Sequence, residues 1–220
     1  MTNILFIGNS FTYYNDLPAM LQAMFAETGR ELCPGRILKG GSYLSQYTVP
    51  DSEHGRIFAE NYPAADWDYI VLQDQSFQPA GNPEAFFASV DKILSCMEGH
   101  HAKLIFYSTW AYRDNTEKLS GTGMSYMQML EGLTASYKKA AEDHGALRVR
   151  AGEAFLRSME TCPAIDLYMP DDFHPSPCGS YLAACLFFKT ITGEDFTGSF
   201  LPEGVTAEQG DALRRTAREF

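Results

Sequence analysis

The amino-acid sequence predicts an α/β protein in which a parallel sheet of five strands lies between two layers of helices. Two observations indicate this three-layer arrangement. Short apolar runs, typical of strands buried on both faces, alternate with longer segments whose apolar residues recur every three or four positions, as in helices that pack on a sheet. This alternating order is typical of right-handed crossovers, and therefore of parallel strands.

The first predicted strand is the apolar run from Ile4 to Ile7, which Gly8 stops abruptly. The other strands are predicted at residues 36–39, 69–72, 103–107 and 147–150. Helices are predicted at residues 17–28, 52–62, 83–99 and 125–144, in a short segment after the fifth strand, from near residue 176, and at 206–220.

The composition is that of one globular domain spanning residues 1–220, because no linker-like stretch divides the chain. Its 28 acidic and 17 basic residues give a net charge of -11, which argues against a nucleic-acid partner. The five cysteines contain no C-x-x-C pair, so neither a disulfide framework nor a metal site is predicted.

No apolar stretch of the sequence is long enough to cross a bilayer, so we expect no membrane association. The chain passes from Met1 directly into the first predicted strand, without a charged leader. We therefore expect a cytoplasmic protein, unless a signal peptide has been removed. The sequence leaves the oligomeric state open.

Ser10 stands where the first strand ends, within the run Gly8-Asn9-Ser10-Phe11-Thr12. The carboxyl ends of parallel strands face a common crevice, and ligands bind there. Ser10 is therefore a candidate nucleophile. A serine nucleophile needs a base, a group that orients the base, and hydrogen-bond donors for an oxyanion.

A polar loop before the last core helix holds one histidine, His174, between three prolines that keep the loop out of the helix. Asp171 lies three residues earlier, so its carboxylate can fold back to one imidazole nitrogen and leave the other free for a serine. A lone D-x-x-H pattern also occurs in structural loops. Its functional interpretation therefore depends on the other strand ends.

Two further strand ends offer parts of the same site. Gly40-Gly41 follows the second strand, and such a pair lets the backbone approach a ligand closely, although it also suits a tight turn. Gln73-Asp74-Gln75-Ser76 follows the third strand and brings side-chain amides to the same edge of the sheet. Together these strand ends predict a site for acyl transfer.

On these motifs the chain resembles the SGNH, or GDSL, hydrolase superfamily. The run from Gly8 to Thr12 is similar to that family's G-D-S-x-T block, and Asp171 to His174 is similar to its D-x-x-H block. The blocks occur in the family's order from Ile4 to the helix near Ser176, which is almost the whole chain. The resemblance implies a flavodoxin-like α/β/α fold and ester hydrolysis without a cofactor.

The resemblance also implies a role for each matching residue. Ser10 corresponds to the nucleophile, His174 to the general base and then acid, and Asp171 to the group that orients the imidazole. The backbone N–H groups of Ser10 and Gly41 correspond to oxyanion donors. Gln75 stands where the family has a third donor, an Asn side chain.

Two positions depart from the family pattern. Gln75 carries the same amide donor as the family's Asn on a longer arm, so its role survives with shifted geometry. Asn9 replaces the family's Asp beside the nucleophile, which removes a charge without removing a member of the triad.

Aromatic residues in the predicted site loops favour a small-molecule ester substrate, with an acylated sugar as an attractive class because sugars stack on aromatic faces. Tyr13 and Trp110 are expected to line the pocket. His54 follows the second strand end and could approach the cleft, but we expect it on the surface of its helix.

Two alternatives to an esterase stay open. One is a catalytically inactive carbohydrate-binding relative. The other is a flavodoxin-like module in which residues 8–12 bind an anion or nucleotide at a helix N-terminus. The second alternative leaves the Asp171–His174 pattern unexplained, and the chain has no G-x-x-x-x-G-K run.

Overall fold

The strands form one parallel sheet in the order β2-β1-β3-β4-β5 in the computed structural model, which describes all 220 residues. Their bounds are β1 Thr2–Gly8, β2 Leu32–Leu38, β3 Tyr69–Leu72, β4 Lys103–Ser108 and β5 Leu147–Arg150. All four neighbouring pairs are parallel. The predicted five-stranded parallel sheet is therefore confirmed.

The strand order reverses beside the first strand. β1 lies between β2 and β3, so that Ile4 pairs with Pro34 on one side and with Tyr69 on the other. The chain leaves β1 toward one edge of the sheet and continues later toward the opposite edge. Such a reversal opens a crevice at the carboxyl ends of the two strands between which it occurs, β1 and β3. Ser10 follows β1 at this crevice, and the polar run 73–76 follows β3 there.

β2 begins four residues before the predicted start at residue 36. The added residues include Pro34 and Gly35, which normally argue against a strand. β2 is an edge strand, however, and an edge strand tolerates a proline because one row of its N–H groups faces away from the sheet. The ring of Trp67 packs directly against Gly35, where a Cβ atom would lie 2.2 Å from it.

Ten helices surround the sheet. They are α1 Ser10–Tyr13, α2 Leu17–Glu27, α3 Glu53–Asn61, α4 Gln78–Gly81, α5 Pro83–Ser95, α6 Glu117–Ser120, α7 Tyr126–Asp143, α8 Ala151–Thr161, α9 Pro177–Thr192 and α10 Ala207–Arg218. On one side α2 packs with α9 and α9 with α10, and on the other α4 and α5 pack with α7. The sequence does not predict α1, α4 and α6, because a single helical turn shows no apolar repeat.

One continuous hydrophobic core of 58 buried residues joins the sheet to the helices. The side chains of Ile4 to Ile7 are all buried, as expected for a strand covered on both faces. Several polar side chains at the carboxyl edge of the sheet are buried as well, namely Asn9, Ser42, Gln73 and Asp74. None of the ten helices combines the length and the apolar character needed to cross a bilayer.

Candidate active site

Ser10 is the first residue of α1, directly after the end of β1. Asn9 caps this helix, and its Oδ1 accepts the N–H of Phe11 at 3.2 Å. As the first helical residue, Ser10 has an N–H without an intrahelical acceptor. Its side chain is nearly buried, with 7% of the residue exposed. The turn from strand to helix thus presents the hydroxyl and a free N–H of one residue at the crevice.

The amide nitrogen of Asn9 connects three loops at this edge. Nδ2 donates to the carbonyl oxygen of Ser42 at 3.0 Å and to that of Asp74 at 3.2 Å. These carbonyls belong to the segments after β2 and after β3. An aspartate could not donate to either carbonyl. The departure from the family's Asp at this position therefore has a structural reason in this chain.

Gln73, directly after β3, supports the same turn, a role that the sequence does not predict. Its side chain is fully buried, and Oε1 accepts the N–H of Asn9 at 3.1 Å and the hydroxyl of Thr12 at 3.0 Å. A Cβ atom on Gly8 would lie 2.7 Å from the same oxygen. The one feature of the sequence that points to this role is that Gln73 is a polar residue immediately after a buried strand.

Asp171 and His174 form the predicted pair. Nδ1 of His174 lies 2.7 Å from Oδ2 of Asp171, and Oδ1 of Asp171 accepts the backbone N–H groups of His174 at 3.0 Å and Phe173 at 3.3 Å. Partial burial raises the pKa of Asp171, but the hydrogen bonds from His174 and Phe173 outweigh it and leave the pKa below its usual value. The carboxylate is therefore ionised and fixed against the imidazole.

The imidazole of His174 lies between two aromatic rings. Tyr14 stacks on it with ring centroids 4.0 Å apart, and Phe173 lies at the same centroid distance. The ring of Phe11, in α1, is 5.7 Å away. Nε2 is buried and has no hydrogen-bond partner, and no hydrogen bond of 3.5 Å or less joins it to the hydroxyl of Ser10.

Asn15 connects the segment after α1 to the histidine loop. Its Nδ2 donates to the carbonyl oxygen of Pro175 at 2.9 Å and to the hydroxyl of Ser180 at 2.8 Å. The backbone of Asn15 has a φ of 53°, a left-handed conformation that asparagine tolerates better than most residues. The sequence does not predict these contacts of Asn15, because its partners are about 160 residues away along the chain.

Gly41 occupies the third position of a turn that the N–H of Ser42 closes on the carbonyl oxygen of Lys39 at 3.3 Å. Its φ of 69° is the conformation that this position of a type II turn requires, and glycine adopts it without strain. Gly41 is exposed, and its N–H donates to no group of the protein. It is thus a free donor at the predicted strand end.

Gln75 turns its side chain back on the segment that follows it. Its Oε1 accepts the N–H groups of Phe77 at 2.8 Å and Gln78 at 3.0 Å. Because the oxygen is held in this way, the amide nitrogen faces the other direction, where its contact is the hydroxyl of Ser76 at 3.4 Å. That long contact leaves the amide with donor capacity to spare.

Asp74 is fully buried between these loops. Its carboxylate accepts the N–H groups of Leu44 at 2.9 Å and Gln75 at 2.7 Å, and the side-chain amide of Gln78 at 2.8 Å. Burial raises the pKa of Asp74 to about 6, although these three donors act in the opposite direction. Asp74 thus joins the loops after β2 and β3 through its carboxylate.

The two residues expected to line the pocket differ in position. Tyr13, three residues after Ser10 in α1, is 41% exposed, so its ring can contact a ligand. Trp110 is fully buried and stacks on Phe155 with centroids 4.1 Å apart. Its indole N–H donates to the carbonyl oxygen of Phe173 at 3.0 Å. The expectation for Trp110 is therefore corrected: it supports the histidine loop from inside the core and has no surface for a substrate.

Chemically, this edge of the sheet combines a serine hydroxyl, an imidazole paired with a carboxylate, and uncommitted N–H donors. No group of three or more His, Cys, Asp or Glu side chains is arranged to hold a metal ion. The five cysteines are all free. The hydroxyl, the imidazole–carboxylate pair and the N–H donors at this edge are the groups that nucleophilic attack with proton transfer uses.

Solved structures with this fold include a candidate SGNH hydrolase from Slackia heliotrinireducens. It is 31% identical, with a TM-score of 0.74, over 86% of this chain and 98% of its own. A DUF4886 family protein from Bacteroides uniformis is 22% identical, with a TM-score of 0.82, over 99% of this chain and 93% of its own. An acetylxylan esterase from Geobacillus stearothermophilus, solved as a catalytic mutant, is 17% identical, with a TM-score of 0.61, over 88% and 95%.

Neither a family model nor a curated protein matches the sequence.

Proposed function

The chain belongs to the SGNH hydrolase family, and from this premise we propose that it is a serine esterase that cleaves carboxylic esters of small or carbohydrate substrates. The observation that carries the proposal is the His174 imidazole. Asp171 holds its Nδ1, while its buried Nε2 has no partner, and the ring packs on the aromatic residues that follow Ser10. A base oriented in this way is what a serine nucleophile requires.

In the proposed reaction the hydroxyl oxygen of Ser10 attacks the ester carbonyl, and Nε2 of His174 takes the hydroxyl proton. The tetrahedral intermediate then collapses, and His174 returns the proton to the leaving alcohol. A water molecule, deprotonated by the same nitrogen, releases the acyl group from Ser10. Asp171 remains ionised throughout and stabilises the imidazolium.

Three donors would bind the oxyanion of the tetrahedral intermediate. They are the backbone N–H of Ser10, the backbone N–H of Gly41 and the amide nitrogen of Gln75. The free N–H of Gly41 and the anchored amide of Gln75 support this assignment. Donors fixed before the reaction stabilise the developing charge without reorganisation.

An acetylated sugar is the substrate class that we favour. The exposed ring of Tyr13, in the same short helix as Ser10, supports it, since sugars stack on such faces. The acetylxylan esterase from Geobacillus stearothermophilus shares the fold, which is compatible with this substrate. Turnover of simple aryl acetates without turnover of acetylated sugars would contradict the carbohydrate part of the proposal.

Covalent labelling with a fluorophosphonate probe tests the esterase proposal. We expect stoichiometric labelling of the wild-type protein at Ser10 and none of the Ser10→Ala variant, because only a base-activated serine attacks the probe. Ser95→Ala, an exposed serine in the last turn of α5, is the matched control and should label normally. An unlabelled but folded wild type would instead favour an inactive carbohydrate-binding relative or an anion-binding module.

The Gln75→Glu variant tests the proposed oxyanion donor, the amide nitrogen, separately from the oxygen that holds the side chain in place. Glutamate keeps the oxygen that accepts the N–H groups of Phe77 and Gln78, but it lacks the amide donor. We expect a wild-type melting temperature and a loss of kcat on the order of 10²- to 10³-fold. Gln75→Ala, which loses both functions, should also melt earlier. A Gln75→Glu variant with wild-type kcat would remove Gln75 from the oxyanion site.

A further inference from the structure

His54 is not the surface histidine that the sequence predicts. It stands in the first turn of α3, and its side chain turns toward the turn that follows β2. Nε2 of His54 shares a hydrogen bond with the hydroxyl of Ser42, with the two atoms 2.8 Å apart. Its ring meets the ring of Tyr47 edge to face, with centroids 5.3 Å apart. His54 is thus fastened to the residue that directly follows Gly41.

All three polar groups of Ser42, its N–H, its carbonyl oxygen and its hydroxyl, are engaged in hydrogen bonds. Its N–H closes the turn on Lys39, its carbonyl oxygen accepts from Asn9, and its hydroxyl meets His54. Only 1% of Ser42 is exposed, so its hydroxyl has no solvent to replace a lost partner. The backbone immediately after Gly41 is therefore held from one side by the residue that caps the Ser10 helix and from the other by His54.

Tyr47 extends this network to the end of β1. Burial raises the pKa of Tyr47 to about 12, so the phenol stays protonated and donates to the carbonyl oxygen of Gly8 at 2.6 Å. An ion pair between Lys39 and Glu53 ties the start of the turn to the residue before His54. The first turn of α3 thus contacts the turn that carries Gly41 at both ends of that turn, at Lys39 and at Ser42.

We propose that His54 is a positioning residue that aligns the backbone N–H of Gly41 with the oxyanion, acting through the hydroxyl of Ser42. This inference rests on the proposed esterase function. His54 does not touch the substrate, and Ser42, buried and engaged in three hydrogen bonds, is not a second nucleophile.

The expected kinetic signature follows from the timing of the Gly41 contact. An oxyanion donor acts when charge develops on the carbonyl oxygen, so a displaced donor lowers kcat and leaves substrate binding unchanged. Complete loss of such a donor costs on the order of 10²- to 10³-fold. A turn that is loosened, but still present, should cost about tenfold in kcat.

The experiment compares His54→Ala, His54→Gln and the control His101→Ala. Glutamine places an amide near the position of Nε2, so it can still bond the hydroxyl of Ser42. His101 is exposed before β4, at the opposite end of the strands. Each variant is measured for kcat and KM on an aryl acetate, for inhibition by phenylboronic acid, and for thermal melting. The boronate forms a tetrahedral adduct on serine and reports the oxyanion site directly.

We expect His54→Ala to lose about tenfold in kcat, with an unchanged KM and phenylboronic acid inhibition weaker by the same factor. His54→Gln should recover most of both losses, and His101→Ala should match the wild type. Equal activity in His54→Ala and wild type would overturn the positioning role. So would a loss that glutamine does not rescue or that appears only in KM. If the wild type itself shows no Ser10-dependent hydrolysis, the proposed function fails instead.

Discussion

Replacing His174 with alanine is expected to lower kcat for ester hydrolysis by a factor on the order of 10⁴ or more. The imidazole is the one base that packs on the aromatic residues following Ser10. Without it the serine hydroxyl keeps its proton and attacks poorly. The measurement is kcat on a chromogenic acetate, with thermal melting to show that the variant is folded. A folded variant that retains more than about one per cent of kcat would contradict the assignment.

Asp171→Asn is the companion variant for this prediction. Asparagine keeps an oxygen for the N–H groups of Phe173 and His174, so the loop should retain its turn. It removes the negative charge that stabilises the imidazolium and orients Nδ1. We expect a loss of kcat on the order of 10²- to 10⁴-fold with little change in stability. Activity equal to that of wild type would mean that Asp171 only shapes the loop.

Asn9→Asp, which restores the family's usual residue, is expected to destabilise this chain by about 3–5 kcal/mol at neutral pH. Nδ2 of Asn9 donates to the carbonyl oxygens of Ser42 and Asp74. A carboxylate oxygen in its place would face two buried acceptors with no proton between them, and it would carry a buried, unpaired charge. The measurement is the free energy of unfolding in urea.

The pH dependence of this effect distinguishes it from simple loss of packing. Burial beside two acceptors would raise the pKa of the new carboxyl in the folded state. Stability is then retained when the carboxyl is protonated and is lost as the pH rises through the raised pKa. We therefore expect a smaller deficit at pH 4 than at pH 8.

Asn9→Ser is the matched control. Serine still caps α1 by accepting the N–H of Phe11, but it cannot reach both carbonyls. Its cost should be about 1–3 kcal/mol and independent of pH over this range. An Asn9→Asp variant no less stable than wild type at pH 8 would show that the amide nitrogen does not hold the three loops together.

Local patterns in the sequence were enough to predict the sheet and the contact between Asp171 and His174. The apolar runs predicted β3 and β5 at their observed residues. Asp171 and His174 are three residues apart, so a single turn decides their contact. β2 was placed too late because its proline normally excludes a strand, and only its place at the sheet edge permits one.

The side chains that connect the loops could not be predicted in this way. Asn15 reaches a carbonyl about 160 residues away, and Asn9 bonds segments 33 and 65 residues distant. Trp110 looked like a ligand-stacking residue, yet the stacking partners that it finds are Phe11 and Phe155 in the core. An aromatic or amide side chain has the same identity in either role, and only its surroundings distinguish them.

The sequence by itself determined that this chain is an α/β protein with a serine at the end of its first strand and an Asp–His pair near its C-terminus. These features depend on apolar spacing and on residues that are close along the chain. The tertiary structure alone decided that Asn9 holds three loops, that His54 bonds Ser42 and that Trp110 is in the core. Those contacts join residues that only the folding of the sheet brings within hydrogen-bond or packing distance.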